Sequence, residues 1–419
     1  MATVQAQRGT FFGWRVVGAA FVLGAFGWGM GFFGPPVFLS VVREMRGWPL
    51  VLVSAAVSFH FLVGAVTGAK LTALHARFGA AVVTKAGALC LGFGILGWAT
   101  VIAPWQLFVV SAFSGMGWGS MSAAALNAIV SPWFVRSRPA ALAMAYNGGS
   151  IGGVVFSPLW VAAIGALGFP LAAAVIGAFM VVTMWVLADA VFSRSPQQMG
   201  VTPDGDAPGT PAASITSAAA RPLPGELLWR DRRFLTLAAG MALGLFAQIG
   251  LVAHLFSLLV PALGAQRAGL AMGLVTVLAI VGRTMLAWVM PIGADRRLAA
   301  CLGYALQLAG SLVLMAAGGS SVPLILAGVV LFGAGFGNAT SLPPLIAQVE
   351  FVREDVPRVV GMIVGFSQGG YAFAPALFGL VRELAPHAAD AAAGAAPHVF
   401  LTAALVQAMA IAAFLAGRR

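Results

Sequence analysis

Twelve apolar runs, each long enough to cross a bilayer, leave this chain very few possible folds. A membrane helix needs roughly 20 apolar residues, and a segment surrounded by lipid must satisfy its own backbone hydrogen bonds. The runs cover residues 16–42, 50–74, 82–102, 107–130, 140–166 and 169–192, then 234–263, 268–294, 298–317, 322–349, 359–381 and 399–415. Of the 419 residues, 60% are hydrophobic and 8% charged, against roughly 25% charged in a soluble domain. The first run is too long for the apolar region of a secretory signal and lacks a small-residue cleavage site, so it is expected to be a retained span. An all-α integral membrane protein follows.

Residues 194–232 break the series. They are rich in Pro, Ala, Ser, Gly and Thr, the composition of a solvated linker. The expected organisation is a six-helix half at 1–193, a linker at 194–232 and a second six-helix half at 233–419. Lys and Arg fall mostly on alternate loops: 17 of the 23 lie on the side of both termini and the linker, and only Arg43, Arg46, Arg267 and Arg382 on the other. Because cytoplasmic loops carry the basic excess, both termini are expected in the cytoplasm and the protein in the cytoplasmic, or inner, membrane. The net charge of +11 does not point to nucleic acid, since the basic residues are scattered between apolar runs instead of gathered on one solvated face. Cys90 and Cys301 both lie inside apolar runs, too few for a disulfide framework or a thiolate metal site.

The two halves resemble each other. Gly115, Gly117, Gly119 and Ser120 in the fourth run are followed by Phe134, Val135 and Arg136; Gly333, Gly335, Gly337 and Asn338 in the tenth are followed by Phe351, Val352 and Arg353. Arg138, then Asn147, Gly148 and Gly149, are answered by Arg358, then Ser367, Gln368 and Gly369. Small residues at such spacing serve helix packing, but packing alone does not explain their ordered recurrence with aromatics and loop arginines. Two parallel six-helix pseudo-repeats around a mid-membrane site are a transporter plan. The Gly-x-Gly-x-Gly runs do not follow a strand, which excludes a dinucleotide loop. No zinc spacing, P-loop or nucleophile elbow occurs; no cofactor or metal is expected, and no acid, base and nucleophile set for a membrane enzyme can be assembled.

Over nearly its whole length the chain resembles the major facilitator superfamily, and within it the monocarboxylate transporters and the oxalate/formate antiporter branch of bacterial type. The likeness rests on Gly13-Trp14-Arg15-Val16-Val17-Gly18 entering the first span, Trp133-Phe134-Val135-Arg136-Ser137-Arg138 before the fifth, and Arg283 in the eighth. A further mark is Arg194-Ser195-Pro196, Met199-Gly200 and Pro203-Asp204-Gly205 after the sixth. There are departures. Ala76 precedes Arg77-Phe78-Gly79 where the superfamily usually has an acid, and Ala279 stands where animal monocarboxylate transporters carry a proton-coupling aspartate. Gly34-Pro35-Pro36 replaces a first-span lysine of those relatives, and Gln368 lies near the place of a lysine in oxalate exchangers.

Arg283 carries the functional expectation. Between Ala268 and Pro291 it is the lone charged residue, and by run length it falls near mid-bilayer. An arginine there normally faces a cavity and an anion. His60 and His254 are the mid-span groups that titrate near neutrality and are candidate proton carriers, although such histidines are more often packing residues. Tyr146, Asn147, Asn127, Gln368 and Tyr371 can hydrogen-bond a substrate. The resemblance implies that the fifth and eleventh spans line the cavity. It also makes Arg77, Arg136, Arg138, Arg353 and Arg358 gating-loop residues. Lys70 is close enough to the loop at Arg77 to snorkel, and Asp189 is expected to pair locally. The expected function is alternating-access symport of a small monocarboxylate with a proton. The alternatives are an organic-anion exchanger, an exporter of amphipathic compounds, or a transport-dead membrane sensor.

Overall fold

A computed structural model describes residues 11–205, 225–290, 294–352, 354–384 and 394–418. The elements are all helical. Among the described residues, eleven helical segments are long and apolar enough to cross a membrane. The remaining expected span, the eleventh, is broken into Val356–Tyr371 and Ala374–Leu384, each too short to count alone. Pro375 follows this break, lacking the N–H that would continue the helix. Span one divides likewise into Phe12–Gly31 and Gly34–Arg46, with Pro35 and Pro36 opening the second piece. Spans four and ten divide into Pro104–Ser120 with Ala123–Val130 and Val322–Phe336 with Asn338–Glu350.

Turns between spans are short where glycine permits. Gly79, Gly168 and Gly264 each join two helices as a single residue with φ of 80°, 75° and 76°, a region essentially closed to other residues. At two other spans an aspartate starts the helix. Asp231 accepts the N–H groups of Arg233 and Phe234 ahead of Arg232–Leu263; Asp295 accepts those of Arg297 and Leu298 ahead of Arg296–Ala316.

The recurring glycines sit where helices cross closely. A Cβ on Gly115 or Gly119 would strike the span-two carbonyls of His60 and Gly64, and one on Gly117 the backbone of Leu91 in span three. In the second half a Cβ on Gly333 or Gly337 would meet Val275, Leu278 or the Ala279 carbonyl of span eight, and one on Gly335 the Gly303 carbonyl of span nine. Spans four and ten are thus wedged between equivalent partners in each half. Without a hydrophobic difference between lipid and side chains, such close backbone approach is what holds membrane helices together.

The halves meet near the face opposite the arginine-rich loops. There the Ala376 N–H donates to Ser58 Oγ at 2.9 Å and the Val51 N–H to Glu383 Oε2 at 2.7 Å. Gly379 rides on Ser54. Spans five and eight cross in the same region, with Gly269 against Ser157, Pro158 and Val161, Gly273 against Val154, and Gly153 against Phe33 and Thr276.

On the basic face, each half is tied by ions. Lys85 in span three pairs with Asp189 at the end of span six at 2.5 Å. Arg297, 2% exposed, holds both oxygens of Glu350 at 2.6 and 2.7 Å and also donates to Thr236 and the Arg233 carbonyl. Because both carboxylate oxygens, Thr236 and the Arg233 and Phe414 carbonyls together meet the guanidinium's five N–H groups, the charge can be buried.

Candidate substrate cavity

Where spans five and eight cross, their residue numbers run in opposite directions. Gly269 lies by Ser157 and Val161, Gly273 by Val154, and Thr276 by Gly153. Two turns further toward the basic face, the same register puts Arg283 level with Tyr146. Thr276 and Arg283, seven residues apart, share a helix face, while Ala279 and Gly282 pack on span ten. Arg283 is half-buried, makes no hydrogen bond or ion pair with the described residues, and its nitrogens are not among the sealed polar atoms. The guanidinium therefore faces accessible space without a protein counter-ion.

Its depth differs from the expectation. The apolar run continues to Ala294, but the helix is Ala265–Val289, because Pro291 disfavours helical backbone at Met290. Arg283 thus stands roughly 27 Å from one helix end and roughly 9 Å from the end on the basic face, in the third of the span nearest that face and not at its middle.

An aromatic chain closes the cavity toward the opposite face. Trp28 meets Trp118 at 5.0 Å between ring centroids, Trp118 meets Phe32 at 6.0 Å, Phe32 meets Phe61 at 5.9 Å, and Phe61 meets Tyr371 at 5.9 Å. The last contact joins the two halves. Tyr371 ends its helix at the break in span eleven, and Gln368, one turn earlier, lies on the same face. The Gln368 amide makes no side-chain bond with the described residues, and the neighbouring Gly365, Gly369 and Gly370 have no atom within 4 Å of a Cβ position. Tyr146 Oη donates to the Ala123 carbonyl at 3.3 Å, linking span five to the break in span four.

The remaining candidates separate. Asn147 turns away from Tyr146, since adjacent helical residues point about 100° apart. It lines an apolar groove of about 470 Å³ with Trp14, Val17, Gly18, Phe21 and Met144. Asn127 is exposed and its side-chain oxygen accepts from Ser131 Oγ at 2.6 Å.

His60 is 1% exposed. Its Nε2 donates to the Gly31 carbonyl and its Nδ1 takes the Ser114 hydroxyl, both at 2.8 Å. That arrangement ties spans one, two and four together, as a packing histidine does. His254 is fully buried and Nε2 donates to the Pro375 carbonyl at 3.0 Å, but Nδ1 has no partner among the described residues. Its ring edge lies beside Gly379, which rests on Ser54 of the other half. Ser54, Ser58 and Glu383, the residues of that closure, carry no sequence signal apart from their polarity in an apolar run.

The loop arginines are held locally. Arg77 stacks over Phe78 with 5.1 Å to the ring centroid, and Arg138 Nε donates to the Phe134 carbonyl at 2.9 Å. The Arg136 N–H donates to Asp204, and Arg358 is exposed. Arg353 lies outside the described residues, as do residues 206–224 of the linker.

A membrane-crossing helical bundle, closed at one face above an unpaired internal cation, defines a multi-pass carrier of small solutes. The profile of the Major Facilitator Superfamily matches residues 86–375, and the chain belongs to that superfamily. It is a transporter, not an enzyme. Among solved structures it is similar to the nucleoside transporter NupG, with a TM-score of 0.73 and 14% identity over 97% of this chain and 99% of that one. It is also similar to a bacterial homolog of the human lysosomal transporter Spinster in an inward-facing and occupied conformation, with a TM-score of 0.72 and 13% identity over 98% of each chain. Among curated relatives, a probable chloroplastic anion transporter 4 of Oryza sativa subsp. japonica is 39% identical over 92 residues, which is 19% of this chain and 15% of that protein. The chloroplastic sodium-dependent phosphate transport protein 1 of Arabidopsis thaliana is 40% identical over 88 residues, 18% of this chain and 17% of that protein. The matched segment spans about a sixth of either plant relative.

Proposed function

We propose that the chain is a proton-coupled symporter of small monocarboxylates, of the size of lactate or pyruvate, in the cytoplasmic membrane. One observation carries this reading: the Arg283 guanidinium has no partner among the described residues and lies on the helix face that Thr276 turns to span five. It would take the carboxylate in a charge-assisted, bidentate contact. Tyr146, Gln368 and Tyr371 would read the other end of the molecule, with Asn127 at the entrance and Asn147 on a separate, apolar wall. Among the described residues Arg283 is the cation without a partner beside the cavity, which suits a monoanion. Moving an anion inward against 100 mV costs about 2.3 kcal/mol, which a co-transported proton removes.

With the basic loops and both termini in the cytoplasm, the conformation is closed outside and open inside. The halves 1–193 and 233–419 rock about the cavity, joined by 194–232, and the loop arginines at 77, 136, 138, 353 and 358 act on the cytoplasmic side. His254 is the better placed of the two histidines to carry the proton, because opening the outer closure would uncover it. His60 keeps both nitrogens occupied inside the first half.

Uptake of labelled lactate and pyruvate into proteoliposomes, with and without an imposed pH gradient, tests the reading. Arg283→Gln is expected to lower uptake at least tenfold, which corresponds to losing about 1.4 kcal/mol or more of binding, and Arg283→Lys to restore only part of it. Undiminished uptake by Arg283→Gln overturns the proposal. The plant relatives' names, an anion transporter and a sodium-dependent phosphate transport protein, favour an anionic solute, and the second reading is an anion exchanger. In that case uptake requires an anion loaded on the opposite side, and a pH gradient alone drives nothing.

A further inference from the structure

The segment after span six, Arg194 to Gly205, folds back as a strap over the loop that leads into span five. Ser195 and Gln198 bond each other's backbone, at 2.9 and 3.2 Å. Asp204 stands at φ 61°, ψ 0°, a left-handed conformation that a residue other than glycine holds only when its surroundings fix it. What fixes it is its carboxylate. Oδ2 accepts the N–H groups of Val135 and Arg136 at 2.9 and 2.8 Å, and Oδ1 accepts that of Ser137 at 3.0 Å.

These three donors are the last residues before the helix Arg138–Leu167, whose own N-cap residue, Ser137, makes no side-chain cap bond. The carboxylate therefore supplies, from 67 residues further along the chain, an acceptor for the N-cap N–H and for the two N–H groups before it, and places a negative charge beside the helix N-terminus. The first span is drawn in as well. Phe11 packs edge-on against Phe134 at 5.6 Å between centroids and lies against Gly205, while Arg194 sits over the Phe12 ring at 5.3 Å. The strap thus knots the basic-face ends of spans one, four, five and six.

We propose that Asp204 is a positioning residue for transport: it caps span five from outside, fixes the helix that carries Tyr146 into the cavity, and anchors the start of the linker to the first half. The inference does not depend on which solute is carried. The side chain lies outside the cavity and touches no cavity residue, so its effect passes through the span-five backbone.

Hydrogen exchange of the full-length protein in detergent tests it, read on the loop 135–137 and along span five to Tyr146. In Asp204→Ala the loop amides and the first two turns of span five are expected to exchange about tenfold or more faster than wild type, with spans seven to twelve unchanged. Asp204→Asn keeps one acceptor oxygen and is expected to fall between the two, which a loss of bulk or charge alone would not produce. Wild-type exchange at 135–137 in Asp204→Ala overturns the cap. A rise confined to 135–137 overturns the positioning of span five, and a rise spread equally over both halves overturns the assignment in favour of general destabilisation, for which Asp204→Asn supplies the better-folded check.

Discussion

Two residues of similar promise in the sequence, Arg283 and His60, part company once their partners are known. Among the described residues the arginine meets no acceptor, which is why the proposed solute is placed there. The histidine is committed on both nitrogens. Truncating it as His60→Ala leaves the Gly31 carbonyl without its donor beside a void, while the Ser114 hydroxyl keeps the Ser111 carbonyl, and should cost about 2–4 kcal/mol of stability. Chemical denaturation in detergent measures this, and the pH response of uptake should stay that of wild type. His254→Gln is expected to do the reverse, sparing exchange between preloaded and external lactate while removing the stimulation by a pH gradient; persistence of that stimulation rules the residue out as the proton site. The sequence located Arg283 as a lone charge, but it misjudged the depth because hydropathy counts apolar residues past the point where Pro291 ends the helix. Asn147 looked like a companion of Tyr146 because the two are adjacent in sequence, yet adjacency along a helix means divergence around it.

At the scale of the helix, the glycine recurrence was legible because it repeats one packing solution in two places. Gly117 and Gly335 admit the backbones of spans three and nine. Gly335→Leu should force those helices apart and cost roughly 1–3 kcal/mol or more, seen as a lower melting temperature, whereas a change at the open position Gly365 should be silent. The break in span eleven was hidden, since Ala372 and Phe373 continue the apolar run and Pro375 was its single signal. The aspartate cap ahead of span nine offers a pH test. Desolvation alone would raise the Asp295 carboxyl, but Arg418 and the N–H groups of Leu298 and Arg297 together hold it below its ordinary value. A lowered folded-state value means that its stabilisation is present above the ordinary carboxylate range and is lost as pH falls through and below that range. Asp295→Ala should accordingly be about 1 kcal/mol less stable than wild type at pH 7, and the two melting curves should converge at strongly acidic pH.

For the whole molecule, the halves meet along spans two and eleven and spans five and eight, and Gly379 is a point of close approach between them. A side chain there meets Ser54 across the interface, so Gly379→Val should hold the halves apart on that face. Spin labels at Met45 and Leu384, both exposed, should report a longer mean distance in the variant than in wild type; an unchanged distribution would mean that the closure is formed elsewhere. Such cross-half contacts were not legible beforehand. Their members are serines and backbone amides whose partners lie more than 300 residues away.

The strap has a mechanical consequence. With Asp204 fastened to the first half, the part of the connector left to bridge the halves runs from Gly205 to the helix that begins at Gly225, about 20 residues with a full reach of roughly 70 Å. That reach caps how far the halves can part, while the places where they touch, the Val51 amide on Glu383 and the Ala376 amide on Ser58, are where movement of one half meets the other.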